Sequence, residues 1–216
     1  MKKHMKRISM PKQWPIPRKG TKYVTKPLPG KESYAIPLLI VLRDMLKLAE
    51  TRNEIKKIVN QGKILTGNVV IKELSYPLGF FDIVSIPSIN KHYRIEFSGK
   101  GKLIAKEITE KEAYLKPCKI TGKKVLKKGI LQINLNDGRN FNYSQECSVN
   151  DSLLIDLREN KVVRVLPLKE GAMAYIIKGR YSGEKGKIES IEDNFIAMNI
   201  GSKKIKTVIE NVFVTG

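Results

Sequence analysis

The chain of 216 residues carries 41 Lys and Arg against 21 Asp and Glu, a formal net charge of +20, with 41% hydrophobic and 29% charged residues. That excess lies far above the roughly 2–8 charges that keep a small domain soluble and calls for a polyanionic partner, while the apolar share suffices for packed cores and excludes a chain disordered throughout. No run reaches the ~18 apolar residues of a membrane helix, since the stretch 36–42 is broken by Pro37 and stopped by Arg43 and Asp44, so no membrane partner is expected.

At a prior of roughly 150 residues per domain the length allows one large domain or a few small modules. The basic N-terminus has no apolar stretch before Pro11 and does not read as a secretory signal, which points to the cytoplasm. Cys118 and Cys147 stand far apart with no second pair nearby, a pattern of small buried residues in a reducing compartment rather than of a disulfide framework or zinc ribbon.

Residues 1–36 read as a basic N-terminal extension. Lys2, Lys3, Lys6, Arg7, Lys12, Arg18, Lys19, Lys22, Lys26 and Lys31 all precede the first acid, Glu32. Pro11, Pro15, Pro17, Pro27 and Pro29 forbid a long helix, so an extended arm ordered by its partner is expected. Trp14, between Lys12 and Arg18, reads as a ring that stacks on RNA or, alternatively, anchors the arm on the folded body. His4 belongs to the same basic stretch.

From Pro37, a residue suited to a first helical turn, Leu38, Leu39, Val41, Leu42, Met45, Leu46 and Ala49 predict an apolar helix that leaves Arg43 and Lys47 polar. A second helix is predicted from an N-cap at Asn53, with Ile55, Ile58 and Val59 inward, Lys56 and Lys57 outward, and Gly62 as its stop. Strands over 63–66 and 69–72 follow, joined by Gly67-Asn68, a two-residue hairpin signal. Tyr76-Pro77-Leu78-Gly79 marks a turn, and Asp82, after Phe80 and Phe81, is expected to cap nearby backbone amides.

Between His92 and Leu168 the alternation of Tyr93, Ile95 and Phe97 with Arg94, Glu96 and Ser98 typifies a β-rich region. Within it Lys116, Lys119, Lys123, Lys124, Lys127 and Lys128 occur with no acid among them, either an RNA-facing stripe or a charged sheet edge. The stretch 170–216 reads as a small barrel with strands near 174–177, 187–191, 195–200 and 208–214.

Two motifs carry chemistry. Residues 52–70, RNEIKKIVNQGKILTGNVV, resemble the signature of the S-four RNA-binding domain, in which a helix and hairpin present cations to the phosphates of a folded RNA. Arg43, Lys47, Arg52, Lys56, Lys57 and Lys63 are its candidate contacts, although Asn60-Gln61 and Thr66 make its hinge less basic than is common. Residues 171–191, GAMAYIIKGRYSGEKGKIESI, resemble a KOW motif. There Gly179, Gly183 and Gly186 would let the loop approach a sugar-phosphate backbone while Lys178, Arg180, Lys185 and Lys187 supply charge. No Gly-Lys-Ser/Thr ending or following helix supports a nucleotide cradle. His4 and His92 lack a recognised nucleophile motif, so neither an enzyme nor a metal or other cofactor is expected.

Taken in order, KKHMKRISMPKQW at 2–14, IPLLIVLRDMLKLA at 36–49, YPLGFFDIVSI at 76–86, the glycine loop near 179–186 and ENVFVTG at 210–216 resemble the S-four-E family of archaeal and eukaryotic small ribosomal subunit proteins. Eukaryotic members run longer at the C-terminus, so the resemblance is to the archaeal type. It implies an α+β, multi-module fold: a basic extension (1–36), an S-four-type domain (37–88), a central β-rich domain (89–169) and a KOW-type, SH3-like β-barrel (170–216). It implies a structural role in translation, with ribosomal RNA of the small subunit and neighbouring small-subunit proteins as partners. An RNA-modifying enzyme with an S-four module would need a catalytic domain that the central stretch does not offer. A transcription elongation factor would rest on the KOW-like loop alone.

Overall fold

The structure, a computed structural model, describes residues 3–29, 34–143, 146–201 and 203–215, and of Lys128 only the backbone. Lys2 and Lys31 of the basic extension therefore lie outside the described residues. The chain forms two compact units, Met1–Glu96 with Lys102–Lys116, and Phe97–Gly101 with Pro117–Gly216.

In the first unit the N-terminal stretch is folded rather than extended. Strands β1 (His4–Lys6) and β2 (Tyr23–Thr25) pair antiparallel with Met5 opposite Val24. Between them the prolines permit only a short 3-10 turn at Arg7–Ser9, and the loop that follows carries Met10, Trp14 and Ile16 inward. Trp14 is wholly buried and its indole Nε1 donates to the Tyr34 carbonyl at 3.2 Å. Lys102 Nζ donates to the carbonyls of Lys12 and Trp14, and the Leu103 amide donates to Gln13 at 2.8 Å. Burying an indole removes roughly 150–250 Å² from water, about 4–6 kcal/mol at ~25 cal/mol per Å², which outweighs the tendency of a polar, proline-rich segment to stay loose. Trp14 is thus the anchor of the arm, and with no exposed face it is not a surface for stacking RNA.

Strand β3 (Ile36–Pro37) leads into α1 (Leu38–Ile40), which widens into a π-helical turn at Val41–Met45. The predicted helix to Ala49 stops early because the Leu46 amide bonds back to Val41, and Lys47 adopts φ 52, a left-handed conformation that ends helices. Helix α2 (Arg52–Asn60) starts at Thr51 rather than Asn53. A reciprocal capping box decides this: the Glu54 amide donates to Thr51 Oγ1 and the Thr51 amide donates to Glu54 Oε2. Gly62, at φ 71, turns the chain out of the helix.

Strands β4 (Leu65–Thr66) and β5 (Val69–Val70) form the predicted hairpin, with Gly67 and Asn68 both at positive φ as a type I′ turn demands. Strand β6 (Pro77–Leu78) pairs with β3; β7 (Ile83–Ile86), β8 (Lys91–Phe97) and β9 (Leu103–Ile108) complete a sheet of order β5-β4-β7-β8-β9. In the turn before β7, Phe81 is held at φ 61. Asp82 brackets that turn: its Oδ2 accepts the Gly79 amide at 2.6 Å and its Oδ1 accepts Lys116 Nζ at 2.8 Å, in an ion pair buried at both ends.

The second unit contains two sheets. Strands β10 (Leu115–Val125), β11 (Leu131–Leu135), β12 (Asn140–Asn142), β13 (Ser152–Asp156) and β14 (Lys161–Leu166) lie in the order β12-β11-β10-β13-β14. Both cysteines sit in its core with Ile120, Ile133, Leu153 and Ile155. Strands β15 (Met173–Ile176), β16 (Lys185–Glu192), β17 (Phe195–Ile200), β18 (Lys203–Val208) and β19 (Val212–Val214) form the other, in the order β18-β17-β16-β15-β19. The segment read as one strand over 208–214 is two strands split by a 3-10 turn at Ile209–Asn211. That turn leaves carbonyls to satisfy, and Lys119 meets them: its ammonium donates to Ile209, Glu210 and Val212 at 2.9, 3.1 and 2.8 Å.

Candidate nucleic-acid interface

The cations expected to meet RNA divide by what they touch inside the protein. Lys116 and Lys119, from the acid-free lysine run, are buried and spent on Asp82 and on the carbonyls after β18, whereas Lys123 and Lys124 on β10 are exposed. β10 lies third of five in its sheet, which disfavours the charged-edge reading of the run. In the loop before β16, Lys178 and Arg180 are exposed, with the Arg180 guanidinium 5.8 Å from the Tyr181 ring, and Lys185 Nζ lies 4.8 Å from the Tyr175 ring. Lys187 is exposed on β16 itself.

The glycines of that loop and of the start of β16 do two different jobs. A Cβ on Gly183 would come within 1.9 Å of the Ser98 carbonyl oxygen, and one on Gly186 within 2.3 Å of the Asn199 carbonyl oxygen. These two permit close approach of the protein's own backbone rather than of a ligand. Gly179, at φ 98 with nothing within 4 Å of its would-be Cβ, faces open space.

In the first unit the fold gathers residues far apart in sequence around a cavity of about 290 Å³. Its lining includes His4 and Arg7 from the arm, Tyr23 from β2, Arg43 from the π-helical turn and Arg52 from the first turn of α2, over the buried Val24, Leu39 and Ile40. Arg7 is fixed by three hydrogen bonds, Nε to the Thr21 carbonyl (2.8 Å), Nη1 to the Pro17 carbonyl (2.7 Å) and Nη2 to Thr21 Oγ1 (2.6 Å). Arg43 is paired through Nε and Nη2 with Asp44. Arg52 is exposed and has no hydrogen bond or ion pair among the described residues. The His4 ring stands edge-on to Tyr23, 5.0 Å between centroids, and Lys22 lies 5.5 Å from the same ring. Among the described residues no acid lines the cavity. The nearby Glu54 carboxyl is held below its ordinary range by the Thr51 side chain and then by the Thr51 amide, so it stays charged as part of the cap.

Of the remaining candidates, Lys3, Lys6, Lys12, Arg18, Lys19, Lys47, Lys56, Lys57 and Lys63 are exposed. Arg18 donates to the carbonyls of Ile8 and Met10, which makes it part of the arm's own frame. His92 is buried on β8 with Nδ1 2.8 Å from Ser85 Oγ, a structural setting. Tyr23 was missed in the sequence, although Lys22 beside it offered the signal, an aromatic interleaved with cations.

This division of parts recurs in known proteins. The RS4NT (NUC023) domain model matches residues 1–30, the S4 domain model residues 36–84 and the model of ribosomal family S4e residues 89–162. The small ribosomal subunit protein eS4 of Archaeoglobus fulgidus is 41% identical over 99% of this chain and 93% of its own length. That of Methanocaldococcus jannaschii is 38% identical over the whole chain and 94% of its own length. The crystal structure of the 30S ribosomal protein S4e from Thermoplasma acidophilum superposes with a TM-score of 0.74 at 25% identity, over 84% of this chain and 95% of that one. With relatives at this identity over nearly its full length, the chain belongs to ribosomal family S4e.

Proposed function

We propose that this protein is a structural constituent of the small ribosomal subunit that binds ribosomal RNA in translation, on cytoplasmic ribosomes. The observation that carries it is the cluster of Arg7, Arg43 and Arg52 at the S4-matched helices, in which Asp44 pairs Arg43 alone, together with exposed Lys56, Lys57 and Lys63. A folded RNA supplies phosphates to such a surface without needing any reacting group from the protein, and the role is architectural rather than catalytic. Lys3, Lys6, Lys12 and Lys19 of the arm and Lys47, Lys123, Lys124, Lys178, Arg180, Lys185 and Lys187 extend the proposed contact set, and neighbouring small-subunit proteins are its further partners.

The finer architecture belongs to the same proposal: an N-terminal extension over 1–36, the S4-type domain over 37–88, a central β-rich domain over 89–169 and a KOW-type, SH3-like barrel over 170–216. Supporting the barrel are the return of β19 beside β15, the enclosed core of Ile176, Ile188, Ile196, Met198 and Val212, and the open glycine at 179.

Sucrose-gradient fractionation of a lysate with detection of the protein tests the assignment. Comigration with small subunits is expected. For purified protein and small-subunit RNA, affinity should fall by about a thousandfold or more between 50 and 200 mM salt if roughly 6–10 phosphates are contacted. Confinement to the top of the gradient would refute it.

A further inference from the structure

Resting on the RNA reading above, we infer that the cavity between the arm and the S4 helices seats one unpaired nucleotide of the RNA, its phosphate on the arginines and its base against Tyr23. The lining is split by chemistry in a way that matches the two ends of a nucleotide. Arg7, Arg43 and Arg52 line one cavity, and among the described residues no carboxylate lines it. Arg7 is held by the Thr21 and Pro17 carbonyls and Thr21 Oγ1 and Arg43 by the Asp44 carboxylate, while Arg52 is exposed with no hydrogen bond or ion pair among the described residues and is the guanidinium that a phosphate would engage first. Guanidinium groups fixed in advance lose little freedom when an oxyanion arrives and match it through paired N–H donors.

The other part of the lining is apolar and aromatic. Val24, Leu39 and Ile40 make a buried floor, and the ring of Tyr23, 48% exposed, is backed edge-on by His4. A paired base inside a duplex has no free face to offer such a ring, whereas a splayed base does, so the site selects an unpaired position. An acidic peptide would satisfy the arginines but would leave the aromatic and apolar surface unused. The cavity also explains why the arm is folded back: β1 and β2 supply His4, Arg7 and Tyr23, and Trp14 fixes that stretch to the body before any partner arrives.

The test uses the full chain, an in vitro transcript of small-subunit ribosomal RNA, and the variants Tyr23→Ala, Arg52→Gln and their combination, with Lys111→Gln as a control outside the cavity. Thermal melts establish that each variant folds. Tyr23→Ala should weaken binding by about tenfold, as loss of one stacked base does. Arg52→Gln should weaken it and lower the slope of log affinity against log salt by about 0.7, the value for one single-strand phosphate. The combined loss should be less than the product of the two, since both act on one nucleotide. Ultraviolet crosslinking should join Tyr23 to a nucleotide that is unpaired in the free RNA. Folded variants that bind like the Lys111→Gln control, while the unaltered chain binds tightly, would overturn the site and leave the RNA reading intact. An acidic protein partner would then be the candidate for the cavity. Failure of the unaltered chain to bind the transcript would sink both.

Discussion

Two glycines of the loop before β16 and one at the start of that strand separate two effects that usually arrive together. Gly179 has φ 98 and open space around its would-be Cβ, so Gly179→Ala adds backbone strain alone, about 1–3 kcal/mol. Gly186 lies outside the left-handed region but its Cβ would sit 2.3 Å from the Asn199 carbonyl oxygen, so Gly186→Ala adds overpacking alone, again about 1–3 kcal/mol. Gly183 combines φ 97 with a 1.9 Å approach to the Ser98 carbonyl oxygen, and Gly183→Ala should cost the sum, about 2–6 kcal/mol. For a chain of this length each kcal/mol lowers Tm by about 2–4 °C. The gain from a stiffer unfolded chain is shared by all three and cancels in the comparison. Scanning calorimetry of the three proteins should therefore place Gly183→Ala lowest. If Gly179→Ala destabilises as much as Gly183→Ala, the close-approach argument is wrong and the glycines serve something other than the protein's own backbone.

Lys116→Met strands the buried Asp82 carboxylate and should cost about 3–5 kcal/mol by urea unfolding; an unchanged midpoint would mean the ion pair contributes nothing net. The Glu54 carboxyl titrates below its ordinary range in the folded protein, so its contribution to α2 is complete above the unfolded-state value and disappears as the pH falls through the folded one. Carboxyl NMR titration should show that depression and its loss in Thr51→Ala, and a Glu54 that titrates normally in the unaltered protein would refute the capping-box account. Burial pushes the Cys147 thiol up, ahead of the opposing influence of Lys123, so it stays protonated and unreactive at neutral pH. A disulfide reagent should label it on unfolding, and rapid labelling of the native protein would contradict this.

What could be read in the sequence was whatever short-range rules decide. The Gly67-Asn68 hairpin, the stop at Gly62 and the capping role of Asp82 each depend on residues within a few positions, and each is found in place. Even so, the start of α2 moved two residues, because Glu54 selects Thr51 as its partner and Asn53 has none at that spacing. The positions of Trp14 and Lys119 were not legible. The Trp14 indole donates to a carbonyl 20 residues on and its own carbonyl accepts from Lys102, while Lys119 answers carbonyls about 90 residues away, at the turn Ile209–Asn211.

The same distinction governs the candidate interface. A sequence shows the sign of every charge but not its destination: within one lysine run, Lys116 and Lys119 are desolvated and satisfied inside the protein, whereas Lys123 and Lys124 are exposed, Lys123 with the Cys147 side chain as a hydrogen-bond partner. Only the second kind can release counterions on meeting RNA, so the salt dependence of binding should track exposed, unpartnered cations rather than net charge. By that criterion Arg52, Lys56, Lys57 and Lys63 weigh more than Arg7 or Arg18, whose guanidinium groups are already donating to the arm's carbonyls. Arg7 contributes instead by position, since it brings fixed charge to a cavity whose other cations lie beyond Ile36 in the sequence. The proposed contacts of the arm therefore depend on its folding onto the S4 helices, and loosening it at Trp14 should cost affinity even though the buried Trp14 offers no face to a ligand.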